Sequence, residues 1–128
     1  MAQKSRYMVA VVDEINPSST SVVIASGGTN STILECGGTS PTGIIFPAGW
    51  STGNVSFNVC KTPNGTFVPL TNFDGSSFSI TAAPSTWVPL QPAQFNSVLY
   101  IQVISSATQS SNNVVDFALA PIFQGIHA

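Results

Sequence analysis

Charge is what this chain has least of. Only 6% of its 128 residues are Asp, Glu, Lys or Arg, where soluble domains ordinarily carry about 25%. Two of the three basic residues, Lys4 and Arg6, stand near the amino terminus, so everything after them has Lys61 alone beside Asp13, Glu14, Glu35, Asp74 and Asp116. A nucleic-acid surface needs several Lys or Arg to displace phosphate counterions, so that class of partner is set aside. With so few charges, the surface must be built from Ser, Thr, Asn, Gln, Gly and some apolar side chains. Such a surface suits burial against other subunits.

Long apolar runs are also missing. Nothing approaches the roughly 18 to 20 apolar residues of a membrane helix, so no membrane partner is expected. The early run MVAVV is shorter than the roughly 7 to 15 residues of an export-signal core and meets Asp13 and Glu14 at once, so it is not read as an export signal. Cysteine is limited to Cys36 and Cys60 and histidine to His127. Without CxxC spacing or a histidine cluster, neither a metal nor any other cofactor is expected, and the two thiols read as reduced and packed.

Catalytic inventory is as thin. A serine nucleophile has no GxSxG to present it and would need His127 from the far end of the chain. Asp13 and Glu14 are adjacent, which points their side chains to opposite faces of an extended segment. Asp74, in NFDGSS, reads as a turn residue whose carboxylate bonds local backbone, and DGSS lacks the alternating acids of a calcium loop. No catalytic, cofactor-binding or metal residue is therefore assigned, and the expectation is a protein that is not an enzyme.

What the chain does have is 43% hydrophobic residues, arranged in short runs: YMVAVV, TSVVIA, STILEC, GIIF, NVSFNVC, TFVPL, SFSIT, STWVPL, SVLYIQVI and NVVDFALAPIF. Clusters rich in Gly, Asn, Ser and Pro separate them, and helical periodicity is hard to find anywhere. Alternation assigns Val55, Phe57 and Val59, then Leu99, Ile101 and Val103, then Val115, Phe117 and Leu119, as inward sets. Many short strands broken by turns predict an all-β fold, a single antiparallel β-sandwich of jelly-roll-like form. Residues 1–19 differ in character and read as an N-terminal arm, leaving 20–128 as the sandwich domain.

The remaining candidates are aromatic. Trp50 and Trp87 both adjoin prolines, in FPAGW and WVPLQP; each is suited to capping a core, docking on a neighbour or stacking on a sugar. With Tyr7, Met8 and Val9 of the arm they form the candidate interface set.

The succession GGTSPTGIIFPAGW, followed by VSFNVCKTPNGTFVPLTNFDGSSFSIT and VPLQPAQFNSVLYIQVIS, resembles small structural proteins of tailed bacteriophages over roughly residues 20–123. In those relatives a charged residue stands in the strand before the closing one, whereas SVLYIQVIS has none. The resemblance implies a virion component assembled in the host cytoplasm: a capsid decoration or cement protein, homo-oligomeric with a trimer favoured, whose partner is the major capsid protein or another virion subunit. A receptor- or carbohydrate-binding module of a phage tail or fibre, using Trp50 or Trp87, is the alternative.

Overall fold

A computed structural model of the chain describes residues 20–62 and 64–121. Eight strands and one 3-10 turn follow one another: β1 (Ser21–Ile24), β2 (Asn30–Glu35), β3 (Thr39–Ile45), β4 (Val55–Cys60), β5 (Val68–Pro69), β6 (Trp87–Pro89), the turn Pro92–Phe95, β7 (Tyr100–Ser105) and β8 (Asn113–Pro121). The fold is all-β and antiparallel, as the pattern of short alternating runs requires.

The order across the sheet, β5-β4-β7-β2-β1-β8-β3-β6, shows how the chain is wound. β1 pairs with β8, β2 with β7, β3 with β6 and β4 with β5. This is one long hairpin rolled on itself, the pairing scheme of a jelly roll. The rolling sets β8 beside β3 and β7 beside β4, giving one half with the order β1-β8-β3-β6 and another with the order β2-β7-β4-β5. A single residue pair, Ile24 with Ser31, joins the halves between β1 and β2. They face each other across the core: the ring of Phe57 on β4 lies 6.5 Å from that of Phe117 on β8, and Phe95 packs edge-on to Phe57 at 5.6 Å.

Period-two alternation supplies that core. Val55, Phe57 and Val59 are buried together with Ile101, Val103, Val115 and Phe117, while Leu119 packs partly buried against them. Leu99 departs from its expected inward position: it is exposed at the lead-in to β7, although its backbone still donates to Cys60 O and accepts from Cys36 N–H. Cys60 departs the other way: the residues after β4 fold back until Gly65 lies against its sulfur, where an added Cβ would come within 2.6 Å.

Two boundaries differ from the sequence reading for backbone reasons. The cluster between the runs STILEC and GIIF contracts to a turn over Cys36–Thr39, closed by Thr39 N–H donating to Cys36 O at 3.1 Å, with Gly37 and Gly38 both in the left-handed region that a tight primed turn needs. Thr39–Pro41 then joins β3, and the proline is tolerated because the register shifts between Pro41 and Gly43, a bulge. In contrast, SFSIT forms no strand. It contributes isolated bridges, Thr71 with Ser77 and Val55 with Ile80. The segment 71–86 thereby passes from the outer edge of β4, where Ile80 pairs, to the outer edge of β3, where Thr86 O accepts from Phe46 N–H. Each outer edge ends in a strand of two or three residues that contains proline, Pro69 in β5 and Pro89 in β6. Such edges resist further strand addition.

Candidate functional site

The two tryptophans separate completely. Trp50 follows a turn in which its own N–H donates to Pro47 O at 3.2 Å. That turn folds the indole back onto Phe46, ring centroids 4.9 Å apart, and leaves Trp50 only 3% exposed. Its apolar surface is spent inside the subunit, so its place is that of a core cap, and a neighbour finds no indole face to dock on there. Nε1 is buried with no hydrogen-bond partner among the described residues.

Around Trp50 the chain is held by a buried amide that the sequence reading did not single out. Gln109 is 0% exposed. Its Oε1 accepts from Ser51 N–H at 2.9 Å and from Asn113 Nδ2 at 2.8 Å, while its Nε2 donates to Ser105 Oγ at 3.0 Å. Its backbone exchanges bonds with the β1–β2 loop, receiving from Gly27 N–H and donating to Gly28 O. The side chain and backbone of this one residue thus tie together three loops and the start of β8. In the sequence Gln109 sits inside SATQSSNN, where nothing distinguishes it from its exposed polar neighbours.

Trp87 lies at the opposite extreme. On β6 the alternation turns Val88 inward, so Trp87 and Pro89 stand on the outer face. The Nε1 edge of the Trp87 indole rests against Gly43 on the next strand, where a Cβ would come within 2.3 Å of it, and the side chain remains 64% exposed. A glycine under an aromatic on a sheet edge is a stable seat for the ring, and it leaves the rest of the indole to solvent. Other large apolar side chains are exposed as well: Ile33, Val68, Phe73 and Val114. On the outer face of the other half, Ile33, Phe67 and Tyr100 border a hollow of about 270 Å³. Tyr7, Met8 and Val9, the arm's share of the candidate interface, lie outside the described residues.

Charged and reactive groups are scattered rather than gathered. Among the described residues no group of three or more His, Cys, Asp or Glu could hold a metal ion. Asp116 accepts from Thr20 Oγ1 at 2.8 Å and from its neighbour Phe117 N–H at 3.1 Å. Asp74 bonds within its turn as its sequence setting predicts: its Oδ1 accepts from Ser76 N–H at 2.9 Å and from Ser76 Oγ at 2.6 Å, and these bonds hold its carboxyl below the usual value. Both cysteines are free and buried. Burial, reinforced by the Glu35 carboxylate next to it, pushes the Cys36 thiol up to about 11, so it stays protonated at neutral pH. Cys60 donates its S–H to Thr62 O at 3.0 Å.

What this arrangement offers chemically is apolar contact area on a surface nearly without charge. Comparisons with models of known protein families, with characterised proteins and with solved structures find no match.

Proposed function

We propose that this protein is a non-enzymatic structural subunit that works by being packed against other subunits, and that its setting is the head of a tailed bacteriophage, as a decoration protein on the outside of the shell. The observation that carries the reading is Trp87: a large aromatic side chain 64% exposed on the outer face of an edge strand, in a chain with almost no charge to keep copies apart. Buried aromatic anchors surrounded by uncharged contacts are what interface centres are made of. The phage setting is supported by the resemblance of GGTSPTGIIFPAGW and the segments after it.

The blunt edges refine how assembly would proceed. Strand addition at β5 or β6 meets Pro69 or Pro89, so copies associate through sheet faces and through the arm rather than by extending the sheet. A closed ring, with three copies the favoured number, buries the same face on every subunit.

Sedimentation of the purified chain, with and without empty shells, tests this. A self-associated species that binds shells is expected. Trp87→Ala is expected to leave subunit stability within about 0.5 kcal/mol and to weaken association by about tenfold or more. A stable monomer that ignores shells, or association untouched by Trp87→Ala, overturns the assignment.

A further inference from the structure

A second surface feature begins where the Trp87 face ends: Pro89, which shares that outer face, also lines it, and Trp87 does not. Beyond the end of β6 the chain enters the Pro92–Phe95 turn, and the hairpin tip around residues 72–76 stands opposite it. Between them opens a cleft of about 330 Å³, at the lower end of the roughly 300 to 1,000 Å³ of small-molecule pockets. Its floor is apolar, formed by Phe78, Ile80 and Leu90 at the margin of the core.

The rim is different in kind. Phe73, at the hairpin tip, is 77% exposed, more than any other large apolar side chain among the described residues. Its position is fixed by its neighbours rather than by burial: Asn72 Nδ2 donates to Ser76 Oγ and Ser77 O, and Asp74 holds Ser76. Across the cleft stand Gln91 and Gln94; Gln91 makes no side-chain cap bond to the turn it precedes. Each amide offers a donor and an acceptor. Among the described residues no charged side chain lines the cleft, and Asp74, next to Phe73 in the chain, already accepts two bonds from Ser76.

We propose that this cleft binds a neutral saccharide, with the C–H face of one sugar ring stacked on Phe73 and its hydroxyls bonded by Gln91 and Gln94. An exposed ring beside two primary amides, over an apolar floor and with no charged side chain among the described residues that line it, matches a ligand that presents apolar C–H faces and a periphery of hydroxyls that both donate and accept. An ionic ligand would leave its charge unpaired here. The size admits a mono- or disaccharide unit, so the affinity expected is modest.

Titration with neutral glucose-, galactose- and N-acetylglucosamine-based oligosaccharides, followed by side-chain amide NMR shifts, tests the assignment. Saturable shifts at Gln91 and Gln94 are expected with at least one series, at a Kd near about 1 mM. Phe73→Ala, and separately Gln91→Ala with Gln94→Ala, should weaken that binding about tenfold or more while the thermal unfolding curve stays in place. Trp87→Ala should leave it unchanged, which separates this site from the association face. No shift with any series at about ten times that concentration overturns the proposal. So does binding that survives Phe73→Ala, and so do shifts at Gln91 and Gln94 that follow protein concentration alone, which would identify a second copy as the occupant.

Discussion

Trp50 and Trp87 occupy similar sequence settings, each in an apolar run punctuated by proline, and the fold treats them in opposite ways. Trp50 lies behind a turn whose continuation, Ser51, is bonded by the buried Gln109, so the ring is carried into the core. Trp87 lies on a three-residue edge strand where nothing is tied down except the ladder to β3, and it stands outside on Gly43. What separates them is the partner of the adjacent backbone, a buried polar hub in one case and an exposed strand in the other. The same side chain serves stability inside the fold and is offered for contact on its outer face, although both stand beside the end of β3.

Trp50→Ala is the harshest way to break that comparison. Removing a buried indole that packs on Phe46 should cost roughly 3 to 5 kcal/mol in denaturant unfolding, against the small change expected for Trp87→Ala. Trp50→Phe sharpens it: the aromatic contact with Phe46 survives, and the buried Nε1–H, whose lack of a partner carries a penalty of about 1 to 3 kcal/mol, disappears. A loss below about 1.5 kcal/mol is therefore expected for the phenylalanine. A loss as large as that of alanine would show that Nε1 is bonded in solution.

Gln109→Leu comes next. The leucine fills similar volume but leaves Ser51 N–H and Asn113 Nδ2 without their buried acceptor, which should cost roughly 3 kcal/mol. Faster amide exchange should be concentrated at Ser51 and Gly27, with Ser76 at the distant hairpin unaffected. Uniform acceleration instead would mean that the hub holds no region of its own.

The sheet was legible where alternation was uninterrupted. NVSFNVC and the body of SVLYIQVI announce their faces because every second residue is apolar over a full strand, and the many short runs broken by turns point to an antiparallel sandwich. Legibility failed where long-range partners decide. Thr39–Pro41 reads as a turn yet is a strand because a bulge absorbs the proline; SFSIT reads as a strand yet makes only isolated bridges, because its partners are split between its own hairpin, at Thr71, and the start of β4, at Val55. STWVPL cannot declare whether Trp87 or Val88 faces inward, since both are apolar and the strand is too short for a pattern. Gln109 and Phe73 were missed for a related reason. A glutamine among serines carries no local sign of burial, and an aromatic beside an Asp-Gly turn is a cue to a ring held at a tip that only the opposite wall of the cleft makes meaningful.

Acid offers the gentlest test of the contrast, because only one of the two regions has a group that titrates. The turn that presents Phe73 is held by Asp74, whose fully exposed carboxylate accepts both Ser76 bonds and whose pKa is lowered from 3.8 by them. A carboxyl with a folded value below its unfolded one contributes its stabilisation above the unfolded value and loses it as pH falls through the folded value. The turn should accordingly keep its bonds above 3.8 and loosen below it. The Gln109 hub, formed by amides, hydroxyls and backbone, has nothing to protonate in that range. Going from about pH 5 to about pH 2, protection of the Ser76 amide should fall after correction for intrinsic exchange while that of Ser51 holds, with little change in global stability. Asp74→Asn should remove the pH dependence at Ser76, because an amide oxygen accepts the same bond without titrating. Equal loss of protection at both amides would place the acid-sensitive element in the fold as a whole and dissolve the distinction between an anchored end and a presented one.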